Sequence, residues 1–584
     1  MAMAMAMAKN THSRRGLKET FDAGTQAFIL SHGRIILLSA FIGLIIGLSV
    51  VALLSLYGFL WGFASDMMRI NPYLTIFLPT TGIMVAYLIV TKLAKTKKTG
   101  CGTHQLLEAY HYRGALLSAR DTACKTIASA ITIGFGGSAG LEGPSLFLGG
   151  GIASLIGQRL KLRSEELRLY LLCGAAAGLS AVFKAPLTGI LFALEIPYQR
   201  DLAKEAFIPA TFSSITAYLA LANIMGIEVL FPPIQVTSVL PSLWTIFHAF
   251  TLGLLSAALG LAFIKVFEGF GSLRNRIKIN PLAYPIVGGL MVGSMGLWIP
   301  RILGVGYETI HEMAIGGISS FPLTFLFLLA LLKVLATSIT LNCGGSGGLF
   351  IPSIYVGATL GAIYSKIVLK EPSEIAVVAS MAAVMAATHK TLLSSVAFVA
   401  ETTGPSSIIP TLIAAATGYF VSGRISFYQR VQPLEKPIEE EEALWILSHQ
   451  VDGDEKLERI KNMRVGEAMT PNPVVLMESC SIQDALNTIK RYNYRVFPIV
   501  NHEHALVGYV TVEDLLSVPE EKRSLPVNHL PMGRPLIFQK EDALLDVAKA
   551  MLESKIDHAY VVSDRRTMRL DGVVASIDIV KKLL

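Results

Sequence analysis

Two apolar stretches broken by glycine and proline carry the same residues in the same order. Gly136, Gly137, Ser138, Gly140, Leu141, Pro144, Ser145 and Gly149 recur 208 positions later as Gly344, Gly345, Ser346, Gly348, Leu349, Pro352, Ser353 and Gly357. Lys184, Leu187, Phe192 and Glu195 recur as Lys390, Leu393, Phe398 and Glu401 at an offset of 206, and GCGTHQLLEA from Gly100 lies over GVGYETIHEM from Gly304 at 204. Three blocks in one order at nearly constant spacing indicate a duplicated chain. Backbone that leaves the helix at membrane depth is tolerated only where it lines a cavity or is buried in protein. Paired, glycine-interrupted segments in two halves are the mark of a transporter's binding site.

Composition agrees with a membrane domain. Of 584 residues, 52% are hydrophobic and 16% charged, against about 25% charged in an ordinary soluble domain. This excludes a purely soluble enzyme and a disordered chain. The net charge of +7 comes from basic residues beside apolar spans, so it is read as membrane orientation and not as nucleic-acid binding. Cys101, Cys124, Cys173, Cys343 and Cys480 form no CxxC pair, so neither a disulfide framework nor a metal site is expected.

No charge interrupts Ile35 to Ser65, and Asn71 to Thr91 is a second span. Lys9, Arg14, Arg15, Lys18 and Arg34 precede the first, and Lys92, Lys95, Lys97 and Lys98 follow the second. Both ends of this hairpin are therefore expected in the cytoplasm. The opening MAMAMAMAKN is low in complexity and expected to be an irregular leader. The division is a cytoplasmic segment 1–32, transmembrane repeats 33–230 and 231–430, a charged linker 431–460, and two small α/β units, 461–520 and 521–584. The latter share the order DALNTIK…FPIV…GYVTVEDLL and DALLDVAK…AYVV…GVVASIDIV. The expected fold is an all-α polytopic domain of two inverted repeats with broken helices, followed by a small α/β domain.

Within GSAGLEGPSLF, Pro144 suits the first turn of a helix, so Glu142 stands at a helix N-terminus in an otherwise uncharged stretch. Helix N-termini are anion sites, and a carboxylate there takes an anion's place until it is protonated or displaced. An intramembrane carboxylate is a functional hypothesis by default; the alternative is a plain helix cap. The second half places Phe350 at the matching position, so two helix starts are expected to converge while only one carries an acid. Gly140, Gly143 and Gly348 let backbone approach a ligand closely. Cys101, in a third glycine-flanked turn, offers a weak S–H donor or simply fills a tight turn.

Taken in order, Gly100-Cys101-Gly102-Thr103-His104, Gly140-Leu141-Glu142-Gly143-Pro144 and Gly348-Leu349-Phe350-Ile351-Pro352 resemble the three pore-lining turns of the CLC family of chloride channels and chloride/proton exchangers. APLTGILFALE, Ala185 to Glu195, looks like that family's next helix. The resemblance implies transport of chloride or similar small anions, as a voltage- or pH-gated channel or in exchange for protons, with no cofactor required. It makes Glu142 the gating glutamate. Cys101 stands where the family has a central serine. Tyr428 matches the tyrosine that donates to the same ion, and the N–H groups of Phe350 and Ile351 complete the shell. Such a shell of dipoles binds an anion weakly enough to release it. The chain departs from the pattern at Cys101, at His104, expected to be a helix-start polar group facing the cytoplasm, and at Leu141. Exchangers often carry a second glutamate one position after Glu195; here Ile196 stands there, which favours a channel or an unusual proton path. Glu195 itself is expected to be structural, because Glu401 repeats it. The resemblance also implies a homodimer in the lipid bilayer with one pathway per subunit.

The C-terminal units resemble tandem CBS domains, expected in the cytoplasm. The resemblance implies an adenine nucleotide (ATP, ADP or AMP) between them, with Thr511, Asp514, Ser576 and Asp578 as its contacts; the alternative is a structural pair. Two rivals remain. A CBS-bearing magnesium transporter needs carboxylates that the apolar region lacks. An intramembrane metalloprotease would start from His311-Glu312, but the fifth position is Ile315, which breaks the zinc-ligand spacing.

Overall fold

The computed structural model describes residues 2–227, 231, 243–277, 279–436, 463–492, 494, 496–516, 518, 520–530, 532–554 and 556–583. The chain divides into two compact units, Met1–Lys436 and Pro437–Leu584.

The first unit is helical and doubled. Among the described residues the first half supplies α1 (Ala2–Ile70), α2 (Leu74–Leu93), α3 (Gly102–Tyr112), α4 (Ala119–Gly134), α5 (Glu142–Arg159), α6 (Ser164–Phe183), α7 (Pro186–Glu195) and α8 (Phe207–Met225). The second supplies α9 (Leu243–Arg276), α10 (Ala283–Trp298), α11 (Tyr307–Ala314), α12 (Leu323–Asn342), α13 (Phe350–Tyr364), α14 (Glu374–His389), α15 (Leu392–Thr403) and α16 (Ile408–Val421). Packing repeats as well: α1 lies on α8 as α9 lies on α16, and α5 on α6 as α13 on α14. Seven of the described helices are long and apolar enough to cross a membrane. Basic residues precede the apolar span of α1 but stand at the end of α9, at Arg274 and Arg276. The charge bias thus puts opposite ends of these matching helices on one side, as inversion requires.

Matching residues hold the two halves together. The Ser138 N–H donates to Thr340 Oγ1 at 3.1 Å, and the Ser346 N–H donates to Thr132 Oγ1 at 3.1 Å. Lys184 and Lys390, at the ends of α6 and α14, are both left-handed, with φ of 56° and 60°. In each half this bend reverses the chain into the next short helix.

Two expectations change. The alternating Met and Ala at the N-terminus are good helix formers, and α1 takes in that segment where an irregular leader is expected. The boundary expected at 430 moves to Lys436, because the chain after α16 pairs with the segment that follows α7: the Gln199 and Arg200 N–H groups donate to Pro433 and Leu434 carbonyls at 2.8 Å each. The remainder of the expected linker, 437–460, lies outside the described residues, as does most of the stretch around the expected boundary between repeats.

The second unit contains two similar α/β layers, with a short strand β3 (Thr470–Pro471) at the edge of the second. One has β4 (Leu476–Met477), a helix Ile482–Ile489, β5 (Val496–Val500), β6 (Leu506–Thr511) and a helix Val512–Leu516. The other has β7 (Ile537–Phe538), a helix Leu544–Ser554, β8 (His558–Val562), β9 (Leu570–Ala575) and a helix Ser576–Leu583. In each the first strand pairs parallel to the second and the second antiparallel to the third. Their strands meet around Leu506, Tyr560 and Val562.

Candidate functional site

The three glycine turns meet. β1 (Gly100–Cys101) pairs parallel to β2 (Ser346–Gly347), and the Gly100 N–H donates to the Gly345 carbonyl at 2.9 Å. Gly140 and Gly348, repeat partners, exchange both backbone hydrogen bonds, at 2.9 and 2.7 Å. This reciprocal bridge lies on the local two-fold that relates the halves. Helices α3, α5 and α13 all start from this knot, so their positive ends converge inside the protein.

Glycine is required there by close approach. A Cβ on Gly140 would stand 1.9 Å from Glu142 Oε2, and one on Gly348 would stand 2.8 Å from the Gly143 nitrogen and 3.1 Å from Glu142 Oε2. The Glu142 side chain is buried, at 1% exposure, and fills the cradle between the two glycines. Its Oε1 accepts from the Tyr307 hydroxyl at 3.3 Å. Oε2 makes no hydrogen bond among the described residues, and the carboxyl lies near the N–H groups of Glu142 itself, Ile351 and Leu141. A carboxylate is thus lodged against the starts of α5 and α13, beside their dipoles and, among the described residues, with no countercharge in hydrogen-bond contact.

A cavity of about 630 Å³ lies beside Tyr307, the residue that donates to Glu142. Tyr307 lines it together with Tyr57, Trp61, Arg69, Arg301 and Glu308. It abuts the turn between α1 and α2, the turn remote from both basic flanks.

Cys101 and Tyr428 stand together at the start of α3. Cys101 is the N-cap of α3 and is 5% exposed. The Tyr428 hydroxyl meets both Cys101 and Thr103. His104 is a part-buried polar group in the first turn of α3: its Nε2 lies 2.8 Å from the Phe427 carbonyl, and its ring packs edge-on against Tyr428 with centroids 4.8 Å apart. The first turn of α3 therefore anchors the segment that carries Tyr428. Phe350 is buried against Phe183, Phe192 and Phe398. The Ile351 N–H, expected in one shell with Cys101 and Tyr428, faces the Glu142 carboxylate.

Glu195 is structural, as its repeat partner suggests. It accepts from the Leu393 and Ser394 N–H groups at 2.7 and 2.8 Å, and Glu401 accepts from those of Leu187 and Thr188 at 2.8 and 2.6 Å. Three residues around the site escape the sequence argument. Tyr307 is one. The others are Lys125 and Lys333, buried repeat partners on α4 and α12. Lys333 Nζ donates to the Ile302, Gly304 and Val305 carbonyls at 3.1, 3.0 and 3.3 Å, bracing the turn into α11. Lys125 Nζ donates to the Lys98 carbonyl at 3.1 Å beside the turn into α3. A lysine inside an apolar run was the available signal.

In the C-terminal unit, Thr511 and Asp514 meet at the junction of β6 and its helix: Asp514 Oδ2 accepts from the Thr511 N–H at 2.9 Å and its hydroxyl at 2.8 Å. Asp578 accepts from the Ala575 N–H at 3.0 Å in the matching place, and Ser576 is buried. Both carboxylates brace the helix starts of their own layers. The described residues contain no group of three or more His, Cys, Asp or Glu able to hold a metal ion. The residue after His311-Glu312 that a zinc site would need is Ile315, the C-cap of α11.

Comparison with known proteins agrees with this architecture. The family model for voltage gated chloride channels matches residues 81–423, and that for the CBS domain matches 465–521. An uncharacterized protein of Methanocaldococcus jannaschii is 30% identical over 342 residues, covering 58% of this chain and 82% of that one. The voltage-gated ClC-type chloride channel ClcB of Escherichia coli is 28% identical over 358 residues, covering 59% and 83%. The fold is that of a solved CLC-type fluoride/proton antiporter, with a TM-score of 0.61 at 23% identity over 69% of this chain and 99% of that one. With its family model spanning more than half of its length, its repeats and its knot of glycine turns, this membrane protein belongs to the voltage gated chloride channel family.

Proposed function

We propose that the chain carries chloride or similar small anions across the membrane in exchange for protons, with Glu142 as the gate. One observation carries this: the Glu142 carboxylate occupies a cradle made by two helix starts and two glycines, where a bare anion fits. In this state the carboxylate blocks the path between the 630 Å³ cavity and the Cys101–Tyr428 region. Protonation removes its charge and its hold on the N–H groups of Glu142 and Ile351. It then leaves, and an anion takes the place. One proton and the anion pathway are thereby tied to a single side chain. Gly140, Gly143 and Gly348 form the walls, and Phe350 and Ile351 supply N–H groups. Cys101 and Tyr428 offer an S–H and an O–H to an anion on the far side. These donors are dipoles, so an anion is held without being trapped.

The basic flanks of α1 and α2 favour a cytoplasmic N-terminus, which places Cys101 and Tyr428 on the cytoplasmic side and the cavity outside. The C-terminal CBS pair then acts as a cytoplasmic regulator for which an adenine nucleotide is the ligand class. The family resemblance supports a homodimer. A channel without coupling is the second reading, favoured by Ile196 in place of a carboxylate.

The test is flux from proteoliposomes under a chloride gradient with internal pH recorded. Uphill proton movement driven by chloride is the expected result, and Glu142→Gln should abolish it while chloride still moves. Chloride flux without protons in the wild type would establish the channel. No chloride flux at all would end the proposal.

A further inference from the structure

His389 ends α14 and is wholly buried, and nothing above assigns it a role. Its Nδ1 lies 2.9 Å from Thr388 Oγ1. That hydroxyl donates to the Val384 carbonyl at 2.7 Å, so its oxygen accepts and Nδ1 carries the ring proton. Nε2 is left with a lone pair and, among the described residues, no partner. A buried acceptor with nothing to accept is uncommon in a native protein and points to something that it receives.

Its place suggests what that is. The His389 ring packs against Phe350, Phe427 and Tyr428, with centroids 5.8, 5.5 and 5.5 Å away. Tyr428 is flanked by His104 as well, and both meet at the Cys101 turn. Phe350 opens α13, whose next N–H faces Glu142. His389 thus touches, through Phe350, the helix start that lies near Glu142 and, through Tyr428, the Cys101 turn. The titratable groups around it are His104 on α3, Cys101 in the turn before it, Tyr428 on the segment after α16, and Glu142 at the start of α5. His104 is committed through Nε2 to the Phe427 carbonyl. Lys390, next in the chain, turns away to Ser422 Oγ and the Tyr419 carbonyl, at 2.5 and 3.3 Å.

We infer that His389 is the station where a proton rests between Glu142 and the Cys101–Tyr428 side, the role left open by Ile196. The inference rests on the proton-coupled reading above. Nε2 takes the proton, the neutral imidazole becomes an imidazolium, and the same proton leaves again, so the ring is unchanged over a cycle. A histidine suits the task because an imidazole takes up and gives back a proton at a ring nitrogen with no other bond changed. An anion held at Cys101 and Tyr428 stands near the cation and offsets part of the cost of burying it.

The variant that separates this role from packing is His389→Asn. Its amide keeps an N–H for Thr388 and deletes the Nε2 acceptor. In proteoliposomes with internal pH recorded, its chloride flux should stay within about threefold of wild type while coupled proton movement falls about a hundredfold, the range of a lost proton carrier. Proton movement that keeps pace with chloride in His389→Asn overturns the assignment. If that variant does not fold, His389→Gln, which also cannot carry a proton, takes its place under the same two outcomes. The wild type is measured first: chloride flux without protons there contradicts the exchange reading itself, whereas coupling in the wild type that survives in the variant contradicts only His389.

Discussion

Glu195 and Glu401 cap each other's halves. Each closes its own short helix and reaches across to the first turn of the other's: Glu195 accepts from Ser394 N–H and Oγ at 2.8 Å each, and Glu401 accepts from Thr188 N–H and Oγ1 at 2.6 Å each. An anionic side chain satisfies the orphan N–H groups of a helix start and complements its dipole. The pair therefore locks α7 and α15 in a reciprocal clasp, near the bends at Lys184 and Lys390.

Removing the clasp should cost stability and leave coupling intact. Glu195→Ala strips a charged acceptor from buried donors, worth about 2 kcal/mol; Glu401→Ala, half-buried, should cost about 1 kcal/mol. Thermal unfolding of the detergent-purified variants reads this. In Glu195→Gln the ratio of protons to chloride should match wild type. A changed ratio would make Glu195 a proton carrier.

Tyr307 holds the gate in place. Its hydroxyl donates to Glu142 Oε1 at 3.3 Å, a long hydrogen bond to a charged group worth about 1 kcal/mol. Tyr307→Phe should therefore release the carboxylate more often and raise chloride flux roughly fivefold. Flux equal to or below wild type, with the variant folded, would contradict that role.

Gly140 leaves room for the carboxylate. Because a Cβ there would sit 1.9 Å from Glu142 Oε2, Gly140→Ala should expel the side chain from its cradle. Chloride flux in this variant should lose its dependence on pH between 4 and 8, roughly the window in which a carboxylate gate titrates. A pH profile like that of wild type would show that the carboxylate lodges elsewhere.

Cys101 makes a weak anion site. A thiol donates less strongly than a hydroxyl, so Cys101→Ser should tighten chloride binding roughly threefold when measured by calorimetry on detergent-purified protein. Unchanged affinity would remove Cys101 from the anion path.

The sequence reaches far into this fold because the fold is duplicated. Repetition around Gly136 and Gly344 locates the knot, and Glu142 stands out as an acid in an uncharged stretch. It also separates Glu195, which has an acidic partner, from Glu142, which faces Phe350. Tyr307 was not legible: its repeat partner is Thr103, and its contact with Glu142 joins residues 165 apart. Lys125 and Lys333 were legible in principle, as charges in apolar runs at a common offset. The contact of His104 was not legible because helix-start position says nothing about the segment at Phe427 and Tyr428 that packs on it from 323 residues later. His389 is one more residue in an apolar helix until the directions of its two ring nitrogens are known. The Asp514 and Asp578 positions carry a helix-start role that the CBS pattern alone does not separate from ligand binding.

The central claim is that the Glu142 carboxylate stands in for an anion. Crystals of Glu142→Ala grown in bromide test it directly through anomalous scattering. A bromide peak between Gly140 and Gly348, within reach of the Ile351 N–H and missing from the wild type, is the expected result. An empty or collapsed cradle in the variant, with bromide bound elsewhere, would contradict it.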